Sequence, residues 1–557
     1  MPTVRTIFSL NGEAPGKRLP PRFAGLLLAG GVLMGLAPVN AWPLAWFALI
    51  PLWLLVMQSQ LSIRATLIGS AVWGVAYHGT ALSWIVWWLK PVAAMGVPLF
   101  AAVALALFAW AFITAWGAAI GLTWMTGMLL VKRWRGPTGW RQVLVGTALW
   151  CAVEWVWSRG PLYWTSLSYT QSPYNLVGLH LAQLAGPITV TAGIVAVNGC
   201  LAQWVWTRWG ERKKTKDVRP LLLGGVLFVC IHLVGLGLYS LPLLDDPDSA
   251  LSVGLVQGNV PTSEKLSAAG IRLSQQIYLE GYETLAADGA DMVITPEGAI
   301  AQTWNASTQA YNPLMRSVVR NRVPLLLGTF AKVDMVNNQG KSTSSLLLLS
   351  SEDETPRGEA TGEEVTGEEV TRGKVTGRYN KVKLVPLGEY WPLEKVLRAV
   401  AGSLLPWNSL APGRFDQQLE TPFGPVAAGL CYESAFAGLF RAQVARGGQA
   451  IFTASNNDPY PPRQMMQHHA QDVMRAVETD RWEVRVTNTG ISGVVDPHGR
   501  TLWLSKPGER IVHNAPIALR QSRTPYVRWG DWLTPLLLIG SLVSIRPLPA
   551  KKGGSLS

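Results

Sequence analysis

A thiol, an ammonium and a carboxylate recur in this chain at the ends of apolar runs. Cys431 lies in Gly429-Leu430-Cys431-Tyr432-Glu433, the other three cysteines all falling in apolar stretches. The run Val426–Leu430 reads as a buried strand, and the stretch after it, residues 434–444, reads as a helix. The sequence therefore predicts a cysteine near the positive end of a helix dipole, where a thiolate is favoured. Upstream, Asp291-Met292-Val293-Ile294-Thr295-Pro296-Glu297-Gly298 sets Glu297 at the end of another strand. Between the two stands Tyr379-Asn380-Lys381-Val382-Lys383-Leu384-Val385. A base, a cation and a thiol meeting in one pocket are the parts of nucleophilic acyl transfer. Blander readings exist for each residue alone. A buried cysteine often only packs, Glu297 could cap the following segment, and Lys383 would share a strand face with Lys381.

The elements that must position these residues form an alternating series. Strands are predicted at 251–257, 292–295, 324–328, 345–350, 381–385, 426–430, 450–454 and 484–488. Helices are predicted at 263–287, 308–321, 393–401, 434–446 and 464–481. That alternation predicts a layered α/β domain over residues 243–528. Residues 351–373 break it with Thr361-Gly-Glu-Glu-Val, Thr366-Gly-Glu-Glu-Val and Thr371-Arg-Gly-Lys-Val. This acidic repeat buries nothing and reads as a disordered hairpin insertion. Residues 401–413, with Pro406-Trp407 among small residues, read either as an arm dipping into a bilayer or as a packed loop. The adjacent pair His468-His469 is poor for chelation and is expected on a helix or loop surface.

Residues 23–242, the bulk of a predicted membrane domain over 1–242, are a different material, rich in Leu, Ala, Val, Gly and Trp with few charges. Apolar runs begin near Phe23, Trp42, Ala65, Pro98, Val143, Leu179 and Leu221, and a last one covers 532–545. Residues 91–131 could hold one span or two. One span puts Lys17-Arg18, Arg64, Lys132–Arg135 and the Arg208–Arg219 cluster on a single side, as the positive-inside rule asks. Seven spans then precede the α/β domain, which lies outside the cytoplasm, and residues 529–557 return the chain through an eighth. The first run is followed at once by a second, which favours an anchor over a cleaved signal peptide. Glu154 is a carboxylate within these spans. It is expected either at an interface beside Arg159 or lining a lipid headgroup pocket.

The net charge of +13 is gathered at the ends of apolar runs, not in an aromatic-interleaved patch, so nucleic-acid binding is not expected. No CxxC or Cys/His ligand spacing occurs, and neither a metal nor a cofactor is expected.

At these residues the chain resembles the nitrilase superfamily, which uses a Glu–Lys–Cys triad. Val253-Gly254-Leu255-Val256-Gln257-Gly258-Asn259 is similar to the first strand of such domains. The spans before and after the domain narrow the resemblance to the membrane-embedded branch, the apolipoprotein N-acyltransferases. The most specific blocks are Lys381…Leu384-Val385-Pro386-Leu387-Gly388-Glu389-Tyr390-Trp391-Pro392 and Cys431-Tyr432-Glu433. The resemblance implies an αββα domain in which Glu297 is the base, Lys381 the oxyanion cation and Cys431 the nucleophile. Glu389, Tyr432 and Glu433 would support the pocket, with Glu389 and Glu433 orienting the triad. It also implies a phospholipid acyl donor, an apolipoprotein acceptor, contact with membrane lipids, and a monomer in the bacterial cytoplasmic membrane with its catalytic domain on the periplasmic face. A membrane-bound amidohydrolase using water is the alternative. Thr295 stands where the family has an aromatic residue, and Asn456-Asn457-Asp458-Pro459 replaces its Ser-Asn-Asp-aromatic run. Both departures are expected to reshape substrate contacts.

Overall fold

The computed structural model describes residues 18–39, 41–58, 60–88, 97–209, 217–305, 312–333, 341–351, 373–401, 408–458 and 460–545. The insertion at 352–372, residues 402–407 of the expected arm, and Pro459 lie outside the described residues. The chain divides into two compact units. One gathers residues 1–83, 110–238 and 531–557, the other 84–109 and 239–530.

The first unit is helical. Its main elements are α1 (Pro21–Leu36), α2 (Ile50–Met57), α3 (Ile63–Ala81), most of α4 (Leu99–Arg135), α5 (Trp140–Trp157), the single turns α6 (Leu176–Leu179) and α7 (Ala182–Ala185), α8 (Pro187–Trp209), α9 (Arg219–Tyr239) and α17 (Leu533–Ile545). Among the described residues, three helices are long and apolar enough to cross a membrane, α4, α8 and α9, as in a membrane protein. Within the ambiguous stretch, residues 99–131 lie in one helix, α4. The run expected from Leu179 is divided instead. Gly186 (φ +81) closes α7, and Pro187 opens the long helix where its missing N–H costs nothing. Close packing relies on small residues. A Cβ at Gly31 of α1 would lie 2.3 Å from Trp73 O of α3. Asn198 of α8 ties the turn before α2 by accepting from Leu49 N at 3.0 Å and donating to Ala45 O at 2.9 Å.

The second unit is built on two six-stranded sheets. The first runs β12-β1-β2-β3-β4-β5, with β1 (Ala250–Gln257), β2 (Met292–Ile294), β3 (Leu325–Lys332), β4 (Ser342–Ser351), β5 (Gly373–Asn380) and β12 (Ile511–Ala518). The second runs β11-β10-β9-β8-β7-β6, with β6 (Leu419–Thr421), β7 (Gly424–Leu430), β8 (Ile451–Ser455), β9 (Glu483–Thr487), β10 (Gly493–Val495) and β11 (Thr501–Leu504). In each, three parallel strands (β1-β2-β3, β7-β8-β9) are flanked by antiparallel ones.

Side chains alternate across each strand, and this decides the layers. Val253, Leu255, Leu326 and Leu348 join Val426, Ala428, Phe452 and Val486 in a core between the sheets. Val256, Leu325, Leu327 and Leu349 face the other way, onto α11 (Ala268–Ala287) and α12 (Pro313–Asn321). On the second sheet α14 (Ala437–Ala445) packs against β7, and α15 (Pro462–Thr479) against β9 and β10. The layers are αββα, as expected.

One predicted strand is absent. Residues 381–385 follow β5 as irregular chain. Their apolar side chains look strand-like, but the N–H groups of Val382 and Lys383 donate to Glu433, and that of Val385 donates to Glu389. Carboxylates take the place of a ladder.

Candidate active site

The three expected residues leave their strands on one side of the molecule. β2 and β3 are parallel, β4 reverses, and β5 reverses again, so β2 and β5 end on the same side. Glu297 follows β2 through Thr295-Pro296, and Lys381 follows β5. Gly328 gives the Glu297 turn its room, since a Cβ there would lie 1.8 Å from Pro296 O. Thr295 is fully buried, its hydroxyl accepting from Gly328 N at 3.0 Å and donating to Leu326 O at 3.3 Å. Thr295 therefore ties β2 to β3 within the sheet.

Lys381 is fully buried between two carboxylates. Its Nζ donates to Glu297 Oε1 at 2.8 Å and to Glu389 Oε1 at 2.5 Å. Burial opposes the ammonium, but Glu297 and Glu389 outweigh it and hold its pKa well above the usual lysine value. It is a fixed cation with one N–H left for a third acceptor. Burial also pushes Glu389 up while Lys381 pulls it down. Ser344 adds a longer bond to Glu297 Oε1, 3.3 Å. Lys383, the competitor, is elsewhere: its Nζ sits 4.7 Å from the Phe436 ring centre.

Cys431 begins a 3-10 turn, Cys431–Ala435, in the left-handed region at φ +49. Such a conformation in a non-glycine residue is costly and marks an over-determined site. The turn separates the cysteine from α14, so the expected helix dipole does not act directly on it. Its thiol is not activated in the resting site. Burial first, then Glu297, push it up to about 12, with Lys381 pulling the other way. A thiol of that kind reacts only when a base removes its proton during attack.

Glu433 clamps the backbone beside Cys431. Oε1 accepts from Val382 N at 2.6 Å and Lys383 N at 3.0 Å; Oε2 accepts from Leu430 N at 2.7 Å and Tyr379 Oη at 2.9 Å. It joins the Lys381 segment to the end of β7. Burial pushes it up to about 7 against those backbone donors. Tyr432 is nearly buried and meets Phe436 edge to face, 5.0 Å between centroids.

Sequence reasoning missed a second layer. His468 is buried, not on a surface. Its Nε2 lies 2.8 Å from Cys431 O. A carbonyl only accepts, so Nε2 carries the proton and Nδ1 accepts from Asn457 Nδ2 and Arg485 Nη1, each at 3.1 Å. Burial and then Arg485 hold His468 well below the usual histidine value, in its neutral form. Arg485 is in turn paired with Asp472 through two hydrogen bonds. His469 is buried as well, on Thr501 Oγ1 at 2.8 Å. Asn456 and Asp458 bond Thr262, so the described part of the second departure also holds framework. Tyr460 lies within the electrostatic reach of Cys431 and Lys381, and meets Trp84 edge to face at 5.3 Å.

Glu154, in the helical unit, accepts from Trp150, Tyr163, Ser166 and Thr191 at 2.5–3.2 Å. It is buried, and Arg159 lies instead over the Trp155 ring, 3.6 Å from its centre. Neither expected setting holds: Glu154 is an internal, fully bonded carboxylate.

Two facing sheets with a buried carboxylate–lysine pair beside a cysteine define a carbon–nitrogen-hydrolase type of domain, and residues 252–522 match the carbon-nitrogen hydrolase family profile. Residues 28–200 match the profile of the apolipoprotein N-acyltransferase N-terminal domain. Relatives match along nearly the whole chain. An apolipoprotein N-acyltransferase of Nostoc sp. is 42% identical, the match covering 91% of this chain and 95% of that one. Those of Thermosynechococcus vestitus and Synechocystis sp. are 40% and 36% identical over 94% and 92% of this chain, and 97% and 98% of theirs. The chain belongs to the apolipoprotein N-acyltransferase family, and it is an acyltransferase.

Proposed function

We propose that this enzyme N-acylates the N-terminal diacylglyceryl-cysteine of apolipoproteins, taking the acyl chain from a phospholipid through a thioester on Cys431. The observation that carries the reading is Lys381 held between Glu297 and Glu389 beside a cysteine at a strained strand end. Glu297 takes the thiol proton as sulfur attacks the ester carbonyl. Lys381 and a backbone N–H near Tyr432 hold the oxyanion; losing one such donor costs about 3–4 kcal/mol. The C–O bond breaks, and Glu297 returns the proton to the departing glycerol oxygen. The lyso-lipid leaves, the acceptor amine enters, and its nitrogen attacks the thioester. Glu297 removes the amine proton, and the thiol is restored with the amide formed. Glu389 holds Lys381, and Glu433 holds the backbone on both sides of the pocket.

The three reacting groups come from one chain, which supports a monomer as the working unit. The apolar helices and the charge clusters beside them support seven spans before the catalytic domain, one after it, and a periplasmic face for the domain. The test is a single turnover with labelled phospholipid, followed by intact-protein mass measurement. A labelled adduct on Cys431 that transfers to a diacylglyceryl-cysteine peptide is expected. Transfer at the turnover rate with no adduct would exclude the thioester route. Release to water alone, with the peptide ignored, would make the enzyme a hydrolase.

A further inference from the structure

A second lysine enters the site and has no part in the scheme above. Lys265 ends the short helix α10 (Thr262–Lys265) and is only 6% exposed. Among the described residues its Nζ makes one hydrogen bond, to Gly298 O at 3.5 Å. Gly298 follows Glu297 and holds φ +57, so this bond lands on the turn that aims the base. α10 is itself tied down. Thr262 N donates to Asp458 Oδ2 and Asn456 Nδ2 to Thr262 Oγ1, both at 3.0 Å, and Val260 N donates to Asn488 Oδ1 at 3.0 Å.

The charges give the lysine a task. Glu297 and Glu389 share the single cation Lys381, so this trio already carries an excess negative charge. Passing the thiol proton to Glu297 during attack moves one of these negative charges onto Cys431 and then onto the tetrahedral oxyanion, in a water-poor pocket where poorly compensated charge is expensive. We propose that Lys265 is a positioning residue of the acyl-transfer site, fixing the Glu297–Gly298 turn and offsetting the negative charge that builds on Cys431 during attack. This rests on Cys431 being the nucleophile. Burial pulls Lys265 below the ordinary lysine value, and Glu297, Asp458 and Cys431 act in the opposite direction. The charged groups around the thiol are Glu297 after β2, Lys381 and Glu389 after β5, Arg485 on β9 and Lys265 on α10, with neutral His468 on the Cys431 carbonyl.

The experiment uses the full chain in phospholipid nanodiscs. It measures single-turnover acylation by intact mass and the pH dependence of Cys431 alkylation by iodoacetamide, read by peptide mass. Lys265→Met is expected to acylate about tenfold more slowly or worse, with its alkylation profile displaced upward by about one pH unit. Lys265→Arg, which keeps the charge, is expected to stay close to the wild-type profile. If Lys265→Met shows no cooperative melting, Lys265→Gln takes its place. Wild-type rate and profile in the folded neutral variant would overturn the proposal. So would unfolding of both neutral variants alongside a native Lys265→Arg, which would assign the residue to stability alone. A wild-type enzyme that never forms the Cys431 adduct would instead overturn the reading on which the proposal rests.

Discussion

Glu154 and Glu297 are both carboxylates drawn away from water, one in each unit, and they differ in how completely they are satisfied. Glu154 accepts from an indole, a phenol and two hydroxyls. All four are neutral groups fixed by the helical unit, and nothing remains for it to do. Glu297 is bonded by Lys381 and, more loosely, by Ser344. Among the described residues its second oxygen accepts no hydrogen bond. Glu433 repeats the Glu154 pattern within the catalytic unit, with four donors and a holding role. Buried carboxylates with full shells set positions, and the one with spare lone pairs is the base of the proposed mechanism.

The largest loss is expected at Cys431. Cys431→Ser is expected to reduce transfer to background while leaving the melting temperature near that of the wild type, because a hydroxyl is far less ionised than a thiol. Near-normal turnover would remove Cys431 from its role. Glu297→Gln separates field from base. Glu297 is one of the groups that raise the thiol, so neutralising it lowers the Cys431 pKa. Alkylation at pH 8 should therefore become faster, while acylation from phospholipid falls by about 10²–10⁴ for want of a base. Both rates falling together would mean that Glu297 acts through structure. Lys381→Ala is expected to cost about a hundredfold or more in turnover, from one lost oxyanion donor. Lys383→Ala, on the Phe436 ring, should cost much less, and the reverse order would show that the wrong lysine carries the oxyanion. Glu154→Gln sharpens the other side. An amide must turn an N–H toward one of four donors, so stability should fall by about 1–3 kcal/mol. Transfer per folded enzyme, and its pH profile, should not change.

How much of this was legible in the sequence depends on which interaction fixes each part. Glu297 and Cys431 were readable because each follows an apolar strand that pairs with backbone partners. Lys381 was reached through the motif alone. β5 is an edge strand whose Lys374, Thr376 and Arg378 hid it from an apolar pattern, while the Val382–Val385 run imitated a strand. Alternation pointed to a layered α/β domain and the resemblance to its αββα order, but the short strands β6, β10 and β11 offered too few residues to show a period. α15 misled for another reason. It is buried along nearly its whole length, and its polar residues are matched by others, His468 with Arg485 and Asp472 with Arg485. No hydrophobic face announces such a helix, so two adjacent histidines looked like surface. The elevated thiol was out of reach too, because it depends first on burial in the folded pocket and then on carboxylates brought in from elsewhere in the chain.

The smallest effect is expected where the repeat interrupts the first sheet. The last described residue of β4, Ser351, pairs directly with the first of β5, Gly373, and the ladder continues from there through Ser345 and Asn380 to Lys381. The hairpin is therefore already closed at its open end, about eight residue pairs from Lys381 by strand spacing. The removed sequence is polar, without aromatic residues, and loop length enters stability only logarithmically. Replacing residues 353–371 by a two-residue Asn-Gly turn should leave Lys381 on Glu297 and Glu389, with turnover within about twofold and the melting temperature unchanged or slightly raised. If instead the acylation rate falls while Cys431 alkylation keeps its wild-type pH profile, the insertion serves substrate capture. If both are lost, it helps hold β5, and the register that delivers Lys381 depends on more than the strands themselves.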